Sequence, residues 1–110
     1  MIPTLMQPVY APYVVRRQPH ADSHNDILLD RLTQAKRALI QLKRDGFDVI
    51  AVSLATAMPL ITIQTNSRCQ QLIEAGRAAH YSWQHKDGGY ERRGQFGLEG
   101  CTITWTERGH

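Results

Sequence analysis

The stretch Phe47-Asp-Val-Ile-Ala-Val-Ser-Leu-Ala55, followed by Thr56-Ala-Met-Pro59 and Leu60-Ile-Thr-Ile-Gln64, decides how this chain is read. Val49, Ile50, Ala51, Val52 and Leu54 make a nearly continuous apolar run, the pattern of a buried strand from Phe47 to Ala55. Ile61 and Ile63 alternate with Thr62 and Gln64, as in a strand with one buried face. The connection between the two segments is short, so they predict a hairpin. Pro59 fits the start of an edge strand.

Upstream lies a helix with both ends marked. Ser23 or Asn25 can cap it, and Ser23-x-x-Asp26 resembles a capping box with Asp in place of Glu. Leu28, Leu32, Ala35, Leu39 and Leu42 recur at spacings of four and three, which places them on one stripe. Lys43 and Arg44 complement the dipole of the last turn, and Gly46 suits the left-handed position beyond it. The helix is predicted over about 26–45.

Downstream, Ser67-x-x-Gln70 matches a capping box, with Asn66 as an alternative cap, for a short helix that ends at Gly76. Cys69, Leu72 and Ile73 would face inwards. Seven of the eight glycines and both tryptophans lie from Gly76 onwards, which marks a change to strand and turn chemistry. Strands are predicted at 78–84, 90–95 and 101–106, with turns at Asp87-Gly88-Gly89 and Gly97-Leu-Glu-Gly100. The expected fold is therefore α+β. Two helices pack on an antiparallel sheet in the order arm-α-β-β-α-β-β-β, with one domain over 26–108.

Residues 1–25 carry four of the five prolines, so no helix grows there and an extended arm is expected. The arm is too apolar for a plain tail. Tyr10, Tyr13, Val14 and Val15 predict that it lies on its own domain or on a second copy, and hence a homodimer. A short strand is expected at Tyr13–Arg17.

The 110 residues suit one compact domain and exclude the large enzyme scaffolds. A net charge of +3 is a mild excess, spread as +1 over 1–25, +2 over 26–46, −1 over 47–76 and +1 over 77–110. That distribution permits a nucleic-acid partner without requiring one. No membrane-spanning run and no secretory leader pattern is present in the sequence. Two isolated cysteines, Cys69 and Cys101, fit reduced thiols, so a cytoplasmic protein is expected.

Catalytic constellations are thin. His20 and His24 have a four-residue ligand spacing, but Pro19 precedes them and no paired Cys-x-x-Cys completes a metal set. Cys69 near a helix N-terminus with His80 or His85 as base would make a nucleophile pair, yet Cys69 shares its stripe with Leu72 and Ile73. Asp22, Asp26 and Asp30 serve a helix start better than a two-metal site, and no phosphate-cradling glycine motif occurs. No catalytic residue, metal or cofactor is expected.

The segment Trp83-Gln-His-Lys86-Asp-Gly-Gly-Tyr90-Glu-Arg92-Arg93-Gly-Gln-Phe96 interleaves aromatics with cations across a hairpin. Sheets stack bases and hold phosphates in this way, and Trp, Tyr and Arg also dominate protein interfaces. An ordinary hairpin, with its rings facing the core and its charges facing water, is the plain alternative. On the first helix, Arg37 and Arg44 belong to a basic face that is either merely solvated or a second nucleic-acid contact.

The chain resembles small early or accessory proteins of temperate phages of enteric bacteria. The resemblance rests on its short length, on Asn66-Ser-Arg-Cys-Gln-Gln-Leu-Ile-Glu-Ala-Gly76, on Gly88-Gly-Tyr90-Glu-Arg-Arg-Gly-Gln-Phe96 and on Cys101-Thr-Ile-Thr-Trp105. It implies action without catalysis, by docking on a host protein or on DNA, and it assigns no site residue. The expected function is thus a non-enzymatic binding protein that inhibits or modulates a host macromolecular machine, such as a defence or regulatory complex. Trp83, Lys86, Tyr90, Arg92, Arg93, Phe96, Arg37 and Arg44 would form its contact surface. A regulator that binds DNA or RNA through the same hairpin and the first helix is the alternative.

Overall fold

The structure is a computed structural model that describes residues 23–109. Helix α1, His24–Arg44, opens on the expected box: Asp26 N donates to the Ser23 hydroxyl at 3.1 Å and Ser23 N donates to the Asp26 carboxylate at 3.3 Å. The chain then forms β1 (Val49–Ser53), β2 (Leu60–Ile63), α2 (Ser67–Glu74), β3 (Ala79–Lys86), β4 (Gly89–Leu98) and β5 (Cys101–Gly109). Asn66, rather than Ser67, caps α2, accepting from Arg68 N at 2.8 Å and Cys69 N at 3.3 Å. The arm residues Tyr10, Tyr13, Val14 and Val15 lie outside the described residues.

The fold is α+β as expected, but the sheet is mixed rather than wholly antiparallel. Its order is β1-β2-β5-β4-β3, and β2 runs parallel to β5. Two antiparallel blocks account for this. The hairpin β1-β2 and the meander β3-β4-β5 each form through local turns, and α2 carries the chain from one block to the other. The last meander strand then docks beside β2, where Thr102 N donates to the Pro59 carbonyl at 2.9 Å. Pro59 is consequently buried and opens an interior strand, not an edge.

The meander turns are two residues each. Asp87-Gly88 and Glu99-Gly100 all have positive φ, the conformation that matches the twist of flanking strands. These tight turns carry β3 and β4 two and three residues beyond their predicted ends.

The core lies on one sheet face under the helices: Ala38 and Leu42 of α1, Phe47, Ile61, Ile63, Cys69, Cys101, Ile103 and Trp105. Two expectations fail here. β1 is not a buried strand, because it occupies an edge, and Val49, Ile50 and Val52 all remain exposed. Leu32 of the predicted helix stripe is also exposed, whereas Ala35 and Ala38 are buried. The buried face of α1 thus runs through Ala35, Ala38 and Leu42, and Leu32 falls at its margin.

Candidate functional site

The two short turns set a register that places Trp83 of β3 opposite Arg92 of β4, and Arg92 opposite Glu107 of β5. These three side chains form one row across the meander, on the face that carries Trp105 and Ile103 nearer the helices. Tyr90, two residues before Arg92, shares that face. Its ring lies over Gly109, where an added Cβ would come within 2.6 Å of it.

Trp83 and Tyr90 stack with centroids 5.1 Å apart and planes 11° apart. The Arg92 guanidinium sits 5.1 Å from the Trp83 centroid and 5.4 Å from that of Tyr90. Stacking and cation–π contacts of this kind stabilise by about 0.5–1.5 kcal/mol each. Trp83 nevertheless keeps 56% of its surface exposed. The platform therefore presents an indole whose position is fixed before anything binds it.

Glu107 locks the row from the other side. Its carboxylate accepts from Arg92 at 2.8 Å and from Trp105 Nε1 at 2.8 Å, and lies 3.1 Å from His80 Nε2. Burial alone would raise this carboxyl, but the hydrogen bonds from Trp105, His80 and Arg92 and the charge of Arg92 outweigh it and hold the group below its ordinary value. Arg92 Nε is buried and has no acceptor among the described residues, so Arg92 is held by Glu107 and the two rings.

On the opposite face, Glu91 is almost wholly buried under cations. Arg93 approaches it at 3.3 Å, Arg108 at 3.2 Å and Lys86 at 3.9 Å. The hairpin cations named from the sequence thus divide: Arg92 is turned inwards, and Arg93 and Lys86 surround Glu91. Glu107 takes up Arg92, whereas Arg93 and Lys86 share the single charge of Glu91 with Arg108.

Phe96 is not part of the platform. It packs on the core, 6.1 Å from Phe47 and 6.3 Å from Trp105. It also lines an open groove of about 640 Å³ between α1, α2 and β4, together with Phe47, Leu72, Arg68 and Arg77. Among the described residues, its charged lining is Asp45, Arg68 and Arg77. Arg37 and Arg44 are exposed on α1 without a carboxylate partner among the described residues.

The remaining chemistries find no assembly. Cys69 and Cys101 are buried free thiols. Burial pushes both up, and nearby charge, Glu107 for Cys69 and Glu99 for Cys101, pushes the same way, so neither is a poised nucleophile. His80 is committed to Glu107, and no cluster of metal-ligating side chains occurs among the described residues. No helix among them is long and apolar enough to cross a membrane.

Glu91, Glu107 and Trp105 are the site residues that composition and motif reading miss, and His80, read there as a base for Cys69, is instead a partner of Glu107. Their signal was available. Taking Asp87-Gly88 and Glu99-Gly100 as the turns, rather than broader glycine segments, aligns Trp83, Arg92 and Glu107 directly.

A family model described as "Uncharacterised protein" matches residues 17–108. The chain belongs to that family. Its match includes all three residues of the Trp83–Arg92–Glu107 row. No curated protein and no solved structure matches the chain.

Proposed function

We propose that this chain is a non-enzymatic docking protein that grips another protein through the Trp83–Tyr90 platform. One observation carries the reading: the Trp83 indole is held by Tyr90 and by Arg92, itself tied to Glu107, yet stays 56% exposed, so the hairpin offers outward a rigid, preformed indole. A preformed aromatic anchor within a polar surround is the make-up of a protein-binding hot spot. Arg92, the guanidinium nearest the indole, is held by Glu107 and so withheld from a phosphate backbone.

The partner is proposed to be a component of a host macromolecular machine, met in the cytoplasm, whose work the bound protein inhibits or redirects. This matches the phage accessory proteins that the sequence resembles. The nucleic-acid alternative keeps two supports: Arg37 and Arg44 have no carboxylate partner among the described residues, and Glu91 offsets only one of the three cations around it. Salt distinguishes the two, because phosphate contacts weaken steeply between low and moderate salt and an indole contact does not.

The test is capture from a bacterial lysate by the full chain and by Trp83→Ala, each with and without nuclease. Capture that survives nuclease and moderate salt but is lost in Trp83→Ala is the expected result. Capture abolished by nuclease, or equal in the variant, overturns the proposal.

A further inference from the structure

Strand β4 outruns its neighbour. β3 pairs with it only as far as Ala79 opposite Gln95, whereas β4 continues through Phe96 and Gly97 to Leu98, which pairs with Cys101 of β5. In an antiparallel sheet, successive residues point their N–H and C=O groups to alternate sides. The turn Glu99-Gly100 makes Leu98 and Cys101 a hydrogen-bonded pair, so Gly97 turns its backbone groups away from β5. The turn Asp87-Gly88 sets the same phase from the other end: Glu91, Arg93 and Gln95 face β3, and Gly97 is next in the series. No backbone partner from outside the strand ladders reaches Gly97 among the described residues. Its N–H and C=O are therefore an open strand edge, which a further strand can join, and no side chain screens them.

This edge opens into two depressions that meet at Arg77, Phe96 and Gly97. The larger, of about 640 Å³, lies on the helix side, with Phe47, Leu72, Phe96 and Leu98 as its apolar lining. The smaller, of about 330 Å³, reaches the other face of the sheet at Gln95 and Thr102. A strand laid beside Gly97 would send alternate side chains to these two sides. The groove is also positively charged. Arg68 and Arg77 have no carboxylate partner among the described residues. The Arg68 guanidinium rests against Gly46, where an added Cβ would come within 3.0 Å of its Nε. Asp45, the acid in the lining, offsets one of the two cations and accepts from Gln41 at 3.3 Å.

We propose that this groove binds an extended, acidic peptide segment of another protein. The segment adds to β4 beside Gly97, and the two backbones exchange N–H···O=C bonds there. One apolar side chain of the segment rests on Phe47, Leu72, Phe96 and Leu98, and the acidic side chains next to it meet Arg68 and Arg77. Backbone pairing at a strand edge gives such capture its affinity, and the pockets for alternate side chains give it selectivity. Carboxylate–guanidinium pairs add charge-assisted hydrogen bonds. The chain's own residues 1–22 hold Arg16 and Arg17 against Asp22, so their charge does not suit the groove. A small organic anion would meet the arginines but leave the Gly97 edge unpaired. The groove lies further along β4 than Arg92 and is separate from the Trp83–Tyr90 platform.

The test is fluorescence anisotropy of labelled, end-blocked Glu-Val-Glu-Val-Glu, and of its analogues with Leu or Phe in place of Val, titrated with the full chain. At least one should bind, and its counterpart with Lys in place of Glu should not. Arg77→Glu should weaken binding about tenfold or more. Lys36→Glu, the same charge change on the flank of α1 opposite Asp45, should leave it unaltered. Gly97→Pro removes the outward N–H and should also weaken binding about tenfold. If Gly97→Pro melts early, the Gly97 amide resonance of the parent chain serves instead and should shift on titration. Failure of all the acidic peptides, equal binding of the Lys peptides, or indifference to Arg77→Glu overturns the proposal. So does binding that leaves Gly97 unengaged by both measures. Displacement of the peptide by an equal concentration of glutarate overturns it too, since the site would then take small anions. Loss of peptide binding in Trp83→Ala does the same, since the platform would then be the binder.

Discussion

Gly94→Ala is the substitution that the structure singles out as most costly for its size. Gly94 lies directly opposite Trp105 on the paired strand. An alanine Cβ there would sit 2.3 Å from Trp105 Cζ2, 2.6 Å from Cε2 and 2.7 Å from Cη2. Unstrained carbon contacts are about 3.5–4.0 Å, so more than 1 Å of overlap must be relieved. Trp105 has little room to yield. It is fully buried, its Nε1 is tied to Glu107, and Phe96 is its neighbour in the core.

Overpacking a core costs about 1–3 kcal/mol, and this site belongs at the upper end because ring and partner must move together. Alanine regains about 0.5–1 kcal/mol by restricting the unfolded chain. The net expectation is a loss of about 2 kcal/mol, or roughly 8–16 °C in melting temperature for a domain of this size. Urea unfolding followed by tryptophan fluorescence measures it. Gly97→Ala is the matched control, in the same strand, with its nearest atom 4.0 Å away, and should change stability by less than about 0.5 kcal/mol. Equal effects of the two variants would refute the reasoning, since the glycines would then differ in nothing that matters.

Two further outcomes follow from the titrating groups. Because Glu107 is held below its ordinary value of 4.5, the native state binds this proton more weakly than the unfolded chain does. Its contribution is present above that value and is lost as the pH falls through the folded value, so unfolding free energy should drop below about pH 4.5, with Glu107→Gln flattening that acid limb. A limb unchanged in the variant would contradict the assignment. For the thiols, raised by burial, iodoacetamide at pH 8 should label neither Cys69 nor Cys101 while the chain is folded and both once it is in urea, with mass spectrometry as the readout.

The candidate site was partly legible. Trp83 and Tyr90 stand out in the sequence as exposed-surface chemistry, and both belong to the platform. Arg92 and Arg93 stand out equally, and their role is reversed, since a carboxylate meets each of them. The carboxylates were the hidden half. Glu107 is fifteen residues from Arg92 in the chain, and only the pairing of β4 with β5 puts them 2.8 Å apart.

What the sequence determined by itself is local. The box at Ser23, the apolar spacing of α1, the left-handed glycines at 46 and 76, and the dipeptides Asp87-Gly88 and Glu99-Gly100 each act within a few residues. They specify two helices and two hairpin-connected blocks. Nothing local states how the blocks meet. The tertiary structure decided that β5, the last strand, lies parallel to β2, which places β1 at an edge and leaves its valines and isoleucine in solvent. An apolar run encodes a demand for burial, but the neighbour that satisfies it is chosen by the packing of the whole sheet.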